Sequence, residues 1–461
     1  MRQRSKPRTL LSPAQNHGGK WTRIVSRPMT VSANRIAPWY VAYLILGLLT
    51  SGMLPFLLPL VVESMSHQLG TVAYVSGAYN LGLLPMPLLG RLAERAQLYR
   101  PLFFGAFVVL ALTFAAFPHV SSLRAWFILA LLIGVATGAA ATVATLFVVD
   151  FTPRREWEPR IGWLQSFNGA GQLAGLLLAG AFAQGTFVAG FTLAAGLAVV
   201  AVLVGRIGLP QEVSKRIGAD RRGHVPVQSL LRPMQLGPAL GGLLHQSHHL
   251  QWAGLRSLRT AMRGRFGRFL IAWSAYSFGV AAFFAYYPLI MRHSYGIPPE
   301  VTALAYAAAA GVGVFLFVAA GRLALRHGSR VVFQAGVALR LTGFFLLGLP
   351  FVLMLPWVRF IALAGFLLVM LAWPVISVSG TALAARLTPV SEGAAIGLLN
   401  ATGALATVAG TFTGGPLVHA WGYGVVTLLA IAGLGVAELL MLGLGSGPSQ
   451  LSPATCESAE H

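Results

Sequence analysis

Cysteine and charge are the two scarce ingredients of this sequence. Cys456 is the single cysteine among 461 residues, so the chain can form neither an internal disulfide nor a cysteine-based metal site. Charged residues make up 10% of the chain, against about 25% in soluble domains. Acids are the rarest, with 12 against 33 lysines and arginines. Water is therefore not the solvent for most of this chain.

Motifs for nucleotide hydrolysis and for covalent catalysis are also missing from the sequence. It contains no phosphate-cradling loop with a Walker-type lysine, and no nucleophile set beside a base. His245, His248 and His249 stand at helical spacing, but three histidines in a basic loop are typically solvated, and we expect no metal there. We expect neither an enzyme nor an ATP-driven pump, and we expect no cofactor.

Long apolar runs dominate what is present. The chain is 56% hydrophobic and its mean hydropathy is +0.72. A run of about 18 or more apolar residues is long enough to cross a hydrocarbon core as a helix. The sequence therefore predicts an all-α membrane protein with twelve transmembrane helices, at about 39–63, 71–93, 102–118, 124–149, 161–183, 186–208, 267–291, 300–320, 331–350, 357–386, 394–417 and 423–445.

A basic turn occurs twice, half a chain apart. The turn that begins Gly90-Arg91-Leu92-Ala93 is repeated by a turn that begins Gly321-Arg322-Leu323-Ala324. This duplication predicts two pseudo-symmetric six-helix bundles. We divide the chain into a basic tail, an N-terminal bundle, a basic linker, a C-terminal bundle and a second tail, at 1–37, 38–208, 209–266, 267–445 and 446–461.

Lysines and arginines follow the positive-inside pattern of membrane proteins. They concentrate in the tail 1–37, in the linker 209–266 and in alternate loops, which predicts that both termini lie in the cytoplasm, at a bacterial-type inner membrane. The linker has leucines spaced for a partly amphipathic helix, which we expect to lie on anionic headgroups. The net charge of +21 is thus a topology signal, and we expect no nucleic-acid binding.

The repeated turn resembles the Gly-x-x-x-Asp-Arg signature of the major facilitator superfamily, over about residues 38–445. Glutamate replaces the aspartate in the first copy, and leucine replaces it in the second. The resemblance implies a substrate site near the bilayer midplane that opens alternately to each side. It also implies a cytoplasmic latch, the alternative being solvated loop charges. The latch candidates are Gly90, Arg91, Glu94, Arg95, Asp150, Gly321, Arg322 and Arg326.

The glycines of the fifth predicted span resemble a motif of proton-linked drug exporters. Gly162, Gly171, Gly175 and Gly180 fit its spacing, whereas Leu176 and Ala179 depart from it. Close packing of two helices explains such glycines equally well. Ala130 stands about where these exporters have an arginine in span four, which argues against the export branch.

Amides and aromatic side chains within the spans are the candidate lining of the cavity. Amides in hydrocarbon need partners, so we expect them to face a cavity or another helix. Without an inward-facing arginine, such a lining favours a neutral or lipophilic organic solute over a phosphate or a dicarboxylate. The candidates are Tyr79, Asn80, Gln165, Asn168, Gln172, Trp273, Tyr276, Trp373 and Asn400.

Two charges lie deep in predicted spans. Arg340 falls in span nine and Glu438 in span twelve. Because the resemblance places both spans outside the cavity, we favour a structural ion pair between them, with proton coupling through Glu438 as the alternative.

These patterns predict a monomeric secondary active transporter of a small organic solute. Proton-coupled export of a drug or metabolite is favoured by the glycines of span five. An uptake symporter of a small organic metabolite is the first alternative. A transporter-like sensor or assembly protein that moves nothing is the second.

Overall fold

The computed structural model describes seven stretches of the chain. The basic tail 1–37, nearly all of the linker with its expected amphipathic helix and three histidines, and the tail from 446 onwards lie outside them. The described residues are 38–66, 68–96, 98–151, 157–208, 264–352, 357–387 and 392–443.

The described residues form twelve helical segments, and each overlaps one predicted span. Helix α1 is continuous from Tyr40 to Ser66, with one wide-turned π stretch at Gly47–Met53. Helices α2 and α7 are each interrupted once. The remaining bounds are α2 Leu69–Leu83 and Met86–Ala96, α3 Tyr99–Ala116, α4 Leu123–Phe151, α5 Trp157–Phe182, α6 Phe187–Gly208, α7 Arg265–Phe284 and Tyr287–Tyr295, α8 Pro299–His327, α9 Ser329–Val352, α10 Val358–Leu387, α11 Glu392–Trp421 and α12 Gly424–Leu442.

Nine of the described helices are long and apolar enough to cross a membrane. Among the described residues, α2, α5 and α11 are not counted with them; α2 is interrupted into segments of 15 and 11 residues. The two halves of the chain meet along α2 with α11 and along α5 with α8. The nine long apolar helices make the protein an integral membrane protein.

Glycine contacts repeat the internal duplication. A Cβ at Gly175 in α5 would overlap the carbonyl oxygen of Leu48 in α1, and a Cβ at Gly410 in α11 would overlap that of Phe278 in α7. One turn further on, Gly180 and Gly415 each face the other half of the chain. The same pair of neighbouring helices thus packs backbone to backbone in both bundles, as close glycine approach allows.

Short turns make consecutive helices run antiparallel, so the bundle has two ends. We call the end with the α1–α2 turn the Glu63 end, and the end with the α2–α3 turn the Arg100 end. Near the Glu63 end, an ideal Cβ on Gly180 lies 3.0 Å from that of Ala303, and one on Gly415 lies 2.9 Å from that of Ala73. The two halves are in close contact there.

Towards the Arg100 end, several described positions are uncovered. The side chains of Gln165 in α5 and Asn400 in α11 are exposed. A Cβ added at Gly321 or Gly397 would meet nothing within 4 Å. Among the described residues, the halves are therefore in contact at the Glu63 end and more open towards the Arg100 end.

Candidate functional site

Two adjoining chambers lie in the interior of the bundle, and a third pocket of about 580 Å³ lies at the Glu63 end, among Ser64, Gln184 and Glu300. The first, which we call the arginine chamber, has a volume of about 320 Å³ and lies among α7, α9, α10 and α11. The second, the interface chamber, has about 200 Å³ and lies between the halves, among α1, α2, α7, α8 and α11. Both are lined by Ala281, Phe284 and Thr407, so they adjoin one another.

Six of the nine candidate cavity residues line these chambers. Tyr79 and Asn80 line the interface chamber, where the Asn80 amide also donates a hydrogen bond of 3.2 Å to the Thr411 hydroxyl across the halves. The other four line the arginine chamber: Trp273, Tyr276, Trp373 and Asn400. Contact of these side chains with a solute stays a prediction.

The three amide residues of α5 occupy different positions. The Gln172 amide donates to the Tyr306 hydroxyl of α8 at 3.4 Å. Asn168 instead packs against α1, with its amide nitrogen 2.9 Å from where a Cβ of Gly47 would lie. Gln165 is exposed towards the Arg100 end, two helical turns from Gln172. Only Gln172 therefore reaches a residue that lines a chamber.

Tyr306 is a cavity residue that the sequence analysis missed. It lines the interface chamber, and its ring lies edge-on to that of Tyr287, 5.8 Å between centroids. The signal was present in the sequence, because Tyr306 is the one large side chain in a run of small ones, Ala303 to Ala310, apart from Leu304. A lone tyrosine in such a run marks a position where a helix faces protein or a cavity.

Arg340 lies in the wall of the arginine chamber, and it does not pair with Glu438. Its guanidinium donates from Nη1 to the Tyr276 hydroxyl. Glu438 instead accepts a hydrogen bond of 3.4 Å from the Gln334 amide, between α9 and α12. The prediction of an ion pair between Arg340 and Glu438 is therefore wrong. Positions 334 and 340 differ by six residues, so they project from different faces of α9.

The position of Arg340 also contradicts the premise of the prediction that the solute is neutral. That expectation depended on having no inward-facing arginine, and Arg340 faces the chamber while only 3% exposed. The sequence was misleading because α9 was placed wholly outside the cavity. The side chain of Arg340 points inwards from α9 towards α7 and α10. The rings of Tyr276, Phe284 and Trp373 surround its guanidinium.

The latch candidates all lie towards the open Arg100 end. Gly90 is buried, and a Cβ there would lie 3.0 Å from the Thr142 side chain of α4. Arg322 and Arg326 are exposed on α8. The side chains of Arg91, Glu94, Arg95 and Asp150 lie outside the described part of the structure, so the latch stays a prediction.

Polar contacts join the halves at the Glu63 end. The His293 Nε2 of α7 lies 3.2 Å from the Glu63 carboxylate of α1, and the His293 ring stacks on Tyr423. The Gln184 amide, just after α5, donates to Glu300 of α8 at 3.0 Å. These contacts lie at solvent-accessible positions, where ion pairs contribute about 1 kcal/mol or less. They can break and re-form as the end opens and closes.

We expect Gly403→Ala to constrict the arginine chamber. A Cβ at Gly403 would lie 2.6 Å from Nε1 of Trp273, so the indole must move into the cavity. A displaced indole would take up part of the chamber, so we expect solute binding to weaken by roughly tenfold or more. Calorimetric titration of the purified protein with its solute would measure the effect.

The matched control for this substitution is Gly397→Ala, in the same helix. A Cβ there would meet nothing within 4 Å. The control should bind as the parent protein does. Equal affinity of the Gly403→Ala and parent proteins would show that Trp273 does not shape the solute site.

Comparison with known proteins agrees with this architecture. The family model of the Major Facilitator Superfamily matches residues 39–390. The crystal structure of the nucleoside transporter NupG superposes with a TM-score of 0.69 at 13% identity, covering 89% of this chain and 99% of that one. A crystal structure of a mutant of the same transporter gives 0.68 at 13% identity, with 88% and 98% covered. At this identity the likeness shows the fold alone.

No curated protein sequence matches the chain. The family match spans most of the sequence, and the solved structures share its helical architecture over nearly their whole length. These findings indicate a membrane transporter and not an enzyme. The chain belongs to the Major Facilitator Superfamily.

Proposed function

We propose that this protein moves a small organic solute across the membrane by alternating access through the two chambers. The observation that carries the proposal is a difference between the two ends among the described residues. The halves touch at the Glu63 end, whereas Gln165 and Asn400 are exposed towards the Arg100 end. The interface chamber lies between the halves, and the arginine chamber adjoins it within the C-terminal half. A transporter of this type exposes its midplane site to one side at a time. The described conformation is one of its two open states.

We further propose that the Arg100 end faces the cytoplasm of a bacterial-type inner membrane. Arg100, Arg160 and Arg330 lie at this end, together with the exposed Arg322 and Arg326. Cytoplasmic ends of membrane helices are enriched in arginine and lysine. The two halves would then correspond to 38–208 and 267–445, with the linker 209–266 against anionic headgroups, both termini inside, and the monomer as the working unit.

We propose proton-coupled export of a drug or metabolite as the direction of transport. The glycines of α5 support this, although Gly171 and Gly175 also serve to pack α5 against α1. None of the described side chains that line the two chambers is a carboxylate. A coupling proton would therefore be carried by a carboxylate outside them, and Glu438, held by Gln334, is our candidate.

Uptake of a nucleoside-like solute is the second candidate. The arginine chamber presents the rings of Trp273, Tyr276 and Trp373 together with the Asn400 amide. Such rings and amides can stack on and hydrogen-bond a heteroaromatic base. The two superposed crystal structures are of a nucleoside transporter, which favours this candidate over other uptake substrates.

Proton flux in liposomes tests both candidates. The purified protein is reconstituted with a pH-sensitive dye inside, and a gradient of nucleosides, neutral drugs or aromatic acids is imposed. Export by antiport predicts that protons move against the solute, and symport predicts that they move with it. Loss of the proton signal in Glu438→Gln, with solute exchange retained, would assign the coupling site.

One control and one contrary outcome complete this assay. Glu300→Gln removes a carboxylate that bonds across the halves, so it should alter the rate of solute movement and leave the direction of proton movement unchanged. No movement of any solute would contradict the transport proposal and favour a sensor or assembly protein. In that case substitutions at Gln165 or Asn400 should disturb a partner interaction.

A further inference from the structure

We propose that Arg340 is an anion-binding group and that the solute of the arginine chamber is a small aromatic carboxylate. The inference rests on the proposed transport function and names the class of its substrate. It follows from three features of the chamber: an unbalanced buried charge, the arrangement of rings around it, and the size and lining of the space beside it.

The first feature is the charge balance. Arg340 is 3% exposed, and arginine keeps its proton in proteins. A buried cation without a counter-ion is strongly disfavoured. Each described carboxylate side chain has another partner: Glu63 contacts His293, Glu300 contacts Gln184 and Glu438 contacts Gln334. The described part of the chain therefore supplies no anion for Arg340.

The second feature is how the cation is held. Its guanidinium carbon lies 5.4 Å from the ring centres of Tyr276 and Phe284 and 5.8 Å from that of Trp373. Ring faces stabilise a cation partly, without neutralising it. The Nη1 atom donates to the Tyr276 hydroxyl, but Nε finds no acceptor among the described residues. The guanidinium thus has a buried donor that no described residue satisfies. A carboxylate bound in the chamber would satisfy it after a small movement of the arginine side chain.

The third feature is the chamber itself. A volume of about 320 Å³ is at the lower end of the range for small-molecule sites, which suits a solute of one or two rings. Trp273 and Trp373 offer ring faces, and Ser277, Asn400 and Thr407 offer polar groups. Arg340 is the single cationic side chain in this lining. A monocarboxylate matches one cation better than a phosphate does, because a phosphate usually requires several donors.

Matched pairs of an acid and its neutral amide test this inference directly. Benzoate with benzamide, and indole-3-acetate with indole-3-acetamide, have the same shape and differ in charge. We expect calorimetric titration of the purified full-length protein to show at least tenfold tighter binding of the acid in each pair. We expect Arg340→Gln to lose this preference, and Arg340→Lys to keep part of it, since lysine retains the charge without the fork.

The control variant is Arg359→Gln, which removes an exposed arginine beside Gly296 at the opposite end of the molecule. It should bind the acids as the parent does. If Arg340→Gln does not yield a monodisperse protein, Arg340→Lys and Tyr276→Phe decide instead, because both should weaken the acid more than the amide. Equal binding of acid and amide by the parent, no binding of either, or an acid preference retained in Arg340→Gln would overturn the inference.

Transport measured in parallel separates this inference from the proposed function. Arg340-dependent acid binding without any flux would leave the anion site standing and contradict transport. Flux of neutral solutes with no preference for acids would support transport and contradict the anion site. Flux of the acids alone, lost in Arg340→Gln, is the result that we expect.

Discussion

A disulfide between positions 180 and 303 is expected to abolish transport, and its reduction to restore it. An ideal Cβ at Gly180 in α5 lies 3.0 Å from the Cβ of Ala303 in α8. Disulfides have Cβ atoms about 3.5–4.5 Å apart, so Gly180→Cys with Ala303→Cys would close a bond after a shift of about half an ångström. That bond would hold the halves together at the Glu63 end. Alternating access requires this contact to open once in every cycle.

Because the chain has a single native cysteine, no other disulfide would compete with the engineered one once that cysteine is replaced. Cys456→Ser removes the single native thiol, and the double variant is then oxidised and assayed for solute flux with and without a reductant. The control is Ala42→Cys with Gly205→Cys, whose Cβ atoms would lie 3.9 Å apart inside the N-terminal half. That disulfide should form without stopping transport. Undiminished flux through a fully oxidised 180–303 pair would contradict the rocking of the halves.

Gly171→Ala is expected to prevent α1 and α5 from packing together. A Cβ at Gly171 would overlap the carbonyl oxygen of Leu44 and lie 2.8 Å from the backbone nitrogen of Leu48. These are backbone atoms of the neighbouring helix, so no rotamer change relieves the clash. We expect the variant to lose at least about 3 kcal/mol of stability, the upper part of the range for overpacked cores.

Thermal unfolding in detergent and the yield of monodisperse protein would measure this loss. Gly196→Ala is the matched control, because it lies within α6 and an added Cβ would meet nothing within 4 Å. Alanine in place of glycine in a helix interior usually stabilises by roughly 0.5–1 kcal/mol, so the control should be at least as stable as the parent. Similar unfolding temperatures for the two variants would contradict the close α1–α5 contact.

The transmembrane helices were predictable from the sequence because backbone groups in the lipid hydrocarbon must form hydrogen bonds within the chain, which helices provide. Each of the twelve described helices overlaps a predicted span, including α2, which is interrupted at Leu84 and Pro85. Their ends could be placed because the apolar runs stop at turns and charges. The internal duplication was visible in the repeated turns, and the glycine contacts of Gly175 and Gly410 reproduce it in three dimensions.

Which side chains of a helix point towards the cavity was predicted less well. Tyr276 and Arg340 bond to each other, but they lie on α7 and α9 and nothing in either local pattern marks the contact. Phe333, Val337, Arg340 and Phe344 share one face of α9. Phe333 and Phe344 contact aromatic rings of α7. Only the packing of α9 on α7 shows that this face, and the arginine with it, is directed inwards.

The same lack of tertiary information explains the amides of α5. Gln165, Asn168 and Gln172 looked equivalent because each is costly in hydrocarbon. Gln165 is exposed towards the Arg100 end, Asn168 contacts α1, and Gln172 donates to the hydroxyl of Tyr306. Local sequence predicts that such a side chain needs a partner, and the tertiary structure decides which one.

In the proposed transport cycle, Arg340 would also make solute movement responsive to voltage. A chamber that opens to alternate sides brings its charge to the electrical potential of each side in turn. Transfer of one charge through 100 mV corresponds to about 2.3 kcal/mol. A potential that is negative inside would therefore hold the empty carrier open to the cytoplasm. A bound monoanion cancels the charge of Arg340, so that charge would respond to the voltage only in the step that Arg340 makes without a solute.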